Sequence, residues 1–158
     1  MNNLLLFRTI DMKRDREKVI KYRKDSFRVS FGNLSGFGDE IEYLQWLEEK
    51  ISLYPDGFVI AEMDNNPIGQ LELSIREWNG KKIGYVHLYY LAPKYRGKGI
   101  GKELHRYART FFESNRLMEY HLRVSPTNKR ALRFYREIGL EEIGAELDGK
   151  VIRMKGII

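Results

Sequence analysis

Apolar residues recur along the chain with two periods, one of two and one of three to four, and the switches between them divide it into short strands and amphipathic helices. Leu4 to Ile10 is dense in large and β-branched residues and reads as a first strand. From Asp11 to Ser30 the spacing turns helical, carried by Val19, Ile20, Arg23 and Phe27. Phe31 to Gly38 holds three glycines and two phenylalanines, too many breakers for a helix interior, and is expected to be a mobile loop. Asp39 is placed to cap the next helix, whose apolar positions are Ile41, Leu44, Leu47 and Ile51. Tyr54-Pro55-Asp56-Gly57 ends it with turn chemistry.

Phe58 to Met63 and Ile68 to Arg76 alternate as strands, and Asp64-Asn65-Asn66-Pro67 between them predicts a hairpin. Asn79-Gly80 predicts a second. The strand Ile83 to Leu91 is apolar or aromatic on both faces, which makes it central; strict alternation puts Tyr85, His87, Tyr89 and Leu91 on one face and Val86, Leu88 and Tyr90 on the other. Leu104, Tyr107, Ala108, Phe111 and Phe112 form a helical stripe that begins near Gly101. Tyr120, Leu122 and Val124 mark another strand, closed by Pro126. Thr127 or Asn128 can cap a short helix carrying Ala131, Phe134, Tyr135 and Ile138, with Gly139 at its stop. Leu140 to Glu146 and Val151 to Ile157 flank a third hairpin signal, Asp148-Gly149. The expected inventory is seven strands and four helices. No repeat, low-complexity tract or linker interrupts residues 1–158, so one α/β (α+β) domain is expected.

With 42% hydrophobic and 32% charged residues, the 158-residue chain is too apolar for disorder and too interrupted for a membrane protein. The start, Met1 to Arg8, has too short an apolar run for an export signal, so a cytoplasmic protein is the expectation. No cysteine is present, which removes disulfides and thiolate chemistry from consideration. The net charge of +6 is mostly diluted among acids, as in Lys13-Arg14-Asp15-Arg16-Glu17-Lys18. Lys94-Tyr95-Arg96-Gly97-Lys98-Gly99-Ile100-Gly101-Lys102 is different, with four cations, three glycines and no acid.

A glycine-rich turn between a strand and a helix gathers free N–H groups and the positive end of the helix dipole, so the segment reads as an anion cradle. It is not a P-loop, because only three residues separate Gly97 from Gly101 and Lys102 is followed by Glu103 rather than a hydroxyl. Nor is it a dinucleotide fingerprint, since its glycines fall at every second residue and follow a hairpin in mid-chain. Arg96-Gly97-Lys98-Gly99-Ile100-Gly101 resembles the Arg/Gln-x-x-Gly-x-Gly/Ala pyrophosphate motif of the GNAT superfamily of N-acetyltransferases. Asn128-Lys129-Arg130-Ala131-Leu132-Arg133-Phe134-Tyr135, with Gly139-Leu140 after it, is similar to that superfamily's Asn-x-x-Ala-x-x-x-Tyr helix.

The resemblance implies a mixed, mostly antiparallel seven-stranded sheet, splayed between the fourth and fifth strands, that takes acetyl-CoA as co-substrate and acetylates an amine acceptor. It implies that N–H groups of Gly97, Lys98, Gly99, Ile100 and Gly101 hold the pyrophosphate, with Arg96 and Lys102 beside them. Leu91 and Ala92 would pair with the pantetheine amides and Asn128 would bond near the arm. Tyr135 matches the superfamily's general acid. The base is open. Many relatives carry Glu on the fourth strand, but no carboxylate lies between Ile83 and Leu91 here. His87 is one candidate for it, and a water relay through Tyr85 or Tyr89 is the other. The acceptor is expected against Phe31, Phe37, Trp78 and the Glu146 to Lys150 turn. His87, His105 and His121 have no spaced partners, so no metal is expected. The rival readings are a CoA-binding module without turnover and a basic RNA-binding domain; the second lacks any nucleic-acid motif. No nucleic-acid or membrane partner is expected, and a homodimer is compatible with the sequence.

Overall fold

Alternating apolar strands joined by Asp, Asn and Gly turns come together in one mixed sheet in a computed structural model that describes residues 4–158. The strands are β1 (Leu5–Thr9), β2 (Phe58–Met63), β3 (Asn66–Trp78), β4 (Lys81–Leu91), β5 (Glu119–Val124), β6 (Glu141–Glu146) and β7 (Val151–Ile157). The helices are α1 (Arg16–Phe31), α2 (Glu40–Leu53), α3 (Ile100–Ser114) and α4 (Lys129–Glu137). Met1–Asn3, where the expected absence of an export signal begins, lie outside the described residues. Among the described residues no helix is long and apolar enough to cross a membrane.

The sheet order is β1-β2-β3-β4-β5-β7-β6. Every neighbouring pair is antiparallel except β4 and β5, which are parallel and joined only where Gly84, Tyr85 and Val86 face Tyr120, His121 and Leu122. The turns before β3 and β4 put Asp64, Asn65 and Asn79 at positive φ, the conformation tight hairpins demand.

One face is covered by α3 and α4. Leu104, Ala108, Phe111, Phe112 and Leu132 pack there on Leu71, Leu73, Val86, Tyr120 and Leu122. Each such Leu, Val or Phe side chain contributes roughly 1.5–3 kcal/mol by leaving water. Gly84 lets this layer close on the seam: a Cβ there would lie 2.5 Å from the Phe112 ring, which is stacked on Tyr120 at 5.3 Å. The other face is covered by α1 and α2, where Val19, Leu44 and Leu47 meet Phe58 and Ile60, and Tyr22 meets Leu88 and Tyr90.

Asp39 caps α2 as expected, accepting from the Ile41 N–H at 2.7 Å. The first helix begins at Arg16 rather than Asp11, because Asp11 spends its carboxylate on the N–H groups of Lys13 and Arg14, which folds the chain into a turn. It also runs on to Phe31, the first residue of the expected loop, and stops at Gly32 with φ of 77°.

The fourth strand corrects the sequence reading. Leu88 faces Glu72 and Val86 faces Leu73, so His87 is an extra residue without a partner on β3, a β-bulge. Strict alternation breaks there. Tyr85, His87, Leu88 and Tyr90 look toward α1 and α2, whereas Val86, Tyr89 and Leu91 look toward α3 and α4. The trio Tyr85, His87 and Tyr89 therefore does not share a face.

Candidate active site

The end of β4 runs through a 3-10 turn, Pro93–Tyr95, into the glycine loop and α3. Gly97 and Gly99 sit at φ of 75° and 82°, where a side chain is strained, and Gly99 is the N-cap of α3. Lys102 is the first residue there whose N–H reaches a carbonyl, that of Gly99 at 3.3 Å. The N–H groups from Gly97 to Gly101 are left at the positive end of the helix without a main-chain partner among the described residues. Lys98, Lys102, Arg130 and Arg133 form no ion pair among the described residues, so the cradle keeps its cations for a ligand. Those features fit the diphosphate of a coenzyme A.

Arg96 lines the cleft and also braces it. Its Nε donates to the Leu91 carbonyl at 2.8 Å and its Nη2 to Asp25 at 2.9 Å, with the Tyr90 ring beneath it. The guanidinium ties the loop to the end of β4 and to α1. Gly101 is also more than a clearance for ligand, since a Cβ there would press on the Phe134 ring at 3.2 Å, against which α4 packs.

Beyond the three-residue seam β4 and β5 part, and a cleft of about 520 Å³ opens between them, within the range of small-molecule sites. The Ala92 N–H donates to Ile68 on β3, so antiparallel alternation aims the main-chain groups of Leu91 and Tyr89 away from β3 into the opening. Asn128 lines the cleft but is committed to structure: its Oδ1 accepts from the Ala131 N–H at 3.2 Å, capping α4, and its Nδ2 donates to Ser30 on α1.

Tyr135 and Tyr89 stand on the α4 side, their ring centroids 6.1 Å apart. Desolvation alone pushes the Tyr135 phenol up to about 12, so it is protonated at every physiological pH. Tyr89, also raised by burial, contacts His105 Nδ1 at 3.4 Å, and His105 is held down to about 4 by its own burial and then by Arg109.

The opposite wall comes from α1 and the β4 bulge. His87 shares a 2.7 Å hydrogen bond with Ser74 and is packed by Trp46, Phe58 and Tyr85. Burial first, then Arg76, Arg23 and Lys50, press its pKa down to about 2. It is neutral and cannot take a proton near pH 7, which removes the sequence-based reason for choosing it as the base. Next to it the fully buried Glu72 accepts from Arg23 at 2.7 Å, Tyr43 at 2.5 Å and Gln70 at 2.9 Å.

The structure thus brings Phe31, His87, Tyr89, Leu91, Asn128, Tyr135 and the glycine loop to one cleft, but not Phe37 or Trp78. Phe37 packs edge-on against Phe27 and Tyr43 to hold α1 and α2 together, and Trp78 lies at the far end of β3 against His121. Tyr85 is buried beneath Arg76, behind the cleft wall. The sequence reading missed Arg23, Ser26 and Ser30 of α1 and Arg123 of β5 as wall residues. One signal for Arg23 was present: a charge inside an apolar helical stripe.

Residues 18–140 match the model of the acetyltransferase (GNAT) family. The chain is 35% identical over 101 residues to an uncharacterized N-acetyltransferase of Archaeoglobus fulgidus, a match covering 61% of this chain and 66% of that one. Two further curated relatives are spanned over only 44% and 41% of their lengths. Among solved structures, an acetyltransferase of the GNAT family from Staphylococcus aureus superposes with a TM-score of 0.78 at 17% identity, covering 98% of this chain and 99% of that one. The PaiA N-acetyltransferase of Thermoplasma acidophilum, solved in complex with coenzyme A, superposes at 0.70 with 24% identity, covering 98% and 99%. These likenesses show a shared fold.

Proposed function

Because the chain belongs to the acetyltransferase (GNAT) family, we propose that it transfers the acetyl group of acetyl-CoA to a primary amine by direct attack, with Tyr135 as the donor to the departing sulfur. One observation carries this reading. A cationic, N–H-rich cradle at the start of α3 opens into a cleft whose far end holds an uncommitted, protonated phenol.

In this reading, acetyl-CoA is the group donor, and the remaining work is done by the chain's own atoms. Gly97 to Gly101 and the cations of α3 and α4 hold the diphosphate. The main-chain N–H groups of Tyr89 and Leu91, aimed into the opening, supply hydrogen bonds to the thioester carbonyl oxygen as it gains charge. The Tyr135 hydroxyl donates to the sulfur. No side-chain base is assigned. An acceptor ammonium normally titrates near 10.4, and desolvation in the cleft beside Arg23 favours its neutral form, as burial first and then Arg76 and Arg23 do for His87.

The test is ligand-induced stabilisation followed by thiol release. Acetyl-CoA at a hundredfold over its Kd stabilises by about 2.7 kcal/mol, which for a domain of this size raises Tm by roughly 5–10 °C. An oligonucleotide is expected to leave Tm unchanged. No shift with acetyl-CoA would refute the reading, and a shift without thiol release from any amine would favour a CoA-binding module.

A further inference from the structure

Within the acyl-transfer reading, on which this step rests, the α1 wall of the cleft carries information about the acceptor. Arg23 lines it with its guanidinium held among the rings of Phe27, Tyr43 and Trp46, 5.5 to 6.0 Å from their centroids. Only Nη1 is committed, donating to Glu72 at 2.7 Å and to the bulge carbonyl of His87 at 3.2 Å. Nε and Nη2 make no hydrogen bond among the described residues. Neither is a buried atom left without a hydrogen bond, as Gln70 Oε1 is, so both reach solvent. A guanidinium fixed in this way presents free N–H groups in a plane that suits a carboxylate.

The surrounding charge points the same way. Glu72 balances Arg23, but Arg76 has no ion-pair partner among the described residues and stands 4.0 Å above the Tyr85 ring. Arg123, on the cleft wall, and Arg153 share a single carboxylate, Glu146. Among the described residues the only acid lining the cleft is Glu137, on α4. A polycationic amine would meet arginines where it needs carboxylates.

We infer that the acceptor is an amine that also bears a carboxylate, and that the free Nε and Nη2 of Arg23 hold that carboxylate while the amine faces the thioester. The anion satisfies donors that are otherwise left to water. It also offsets the positive field of Arg76, Arg123 and Arg153.

The experiment uses the whole chain with acetyl-CoA and follows thiol release. Matched pairs are compared: glycine, β-alanine and γ-aminobutyrate, each against its carboxamide, with putrescine as the dication. Rates are expressed per concentration of free amine, which removes differences in amine pKa. The acid of the best pair is expected to exceed its amide in kcat/KM by at least about tenfold, the effect of a hydrogen bond to a charged group. Arg23→Lys keeps a cation facing Glu72 but loses the second nitrogen, and is expected to bring the acid-to-amide ratio toward one. Amides or putrescine used as well as the acids would overturn the inference, as would an unchanged ratio in a folded Arg23→Lys protein. Thiol release from no member of any pair, with acetyl-CoA still raising Tm, also overturns it. Loss of that Tm shift would instead strike at the acetyl-CoA reading itself.

Discussion

Replacing Tyr135 by Phe isolates the part of the chemistry that depends on one hydroxyl. The ring is half-buried beside Tyr89 and Phe134, so Phe preserves its packing. Burial is the only cause of its raised pKa, so no protein hydrogen bond is forfeited and the fold should lose well under 1 kcal/mol. The effect on turnover follows from two acidities. A phenol near 12 facing an alkyl thiolate near 8.5 cannot give up its proton downhill, so Tyr135 acts as a hydrogen-bond donor to the developing sulfur anion rather than as a full acid. A hydrogen bond to a charged group contributes about 1.5–3 kcal/mol, or roughly 10- to 150-fold in kcat. That is the low end of the 10²- to 10⁴-fold range of general-acid catalysis. The assay is single-turnover thiol release with acetyl-CoA and with an acetyl thioester of a more acidic thiol. The deficit of the variant is expected to shrink with the better leaving group, and the wild-type rate should show no basic limb below about pH 10. A Tyr135→Phe protein within twofold of wild type, with chemistry rate-limiting, would refute the assignment.

His87→Gln is expected to keep the acidic limb of log(kcat/KM), and that limb should move with the pKa of the acceptor amine; disappearance of the limb in the variant would restore His87 as the base. The same residue shapes acid stability. His87 stays neutral in the fold down to about 2 while the unfolded chain takes a proton near 6.5, so its contribution is present above pH 6.5 and is lost as pH falls below it, by about 2 kcal/mol at pH 5. Chemical denaturation at pH 7 and pH 5 should therefore show a smaller acid loss in His87→Gln than in wild type. Gly99→Ala and Gly80→Ala each place a side chain near φ of 80°, costing about 1–2 kcal/mol, but calorimetry should find acetyl-CoA affinity reduced only in Gly99→Ala. Equal affinities would mean the loop does not hold the diphosphate.

Much of the architecture was legible because it rests on local chemistry. The Asp64-Asn65 and Asn79-Gly80 turns take the positive φ their residues favour, and Asp39 and Asn128 cap the helices they precede. The glycine loop was legible for the same reason, as its spacing encodes backbone angles. What alternation could not supply was the bulge at His87, because an inserted residue leaves no mark on composition yet moves every later side chain to the other face. The acceptor wall was hidden for a different cause. Trp78 and Phe37 have the character of binding residues, but their positions depend on long-range packing against His121 and against Phe27. Arg23 interrupts an apolar helical stripe, but Glu72, the buried carboxylate it pairs with, is identified only by the fold.

The short parallel contact between β4 and β5 has a mechanical meaning. Three rungs, one of them at Gly84, join a leaf built on β1 to β4 to a leaf built on β5, β7 and β6, the shortest pairing in the sheet among the described residues. Parallel rungs are also slightly weaker than antiparallel ones. The hinge line of the molecule therefore runs along the cleft, and the region least tied to its neighbours is the one a ligand would straddle. A ligand held by α3 on one leaf and α4 on the other would brace that line, adding to the layer of Leu104, Phe111 and Phe112 that already packs across it.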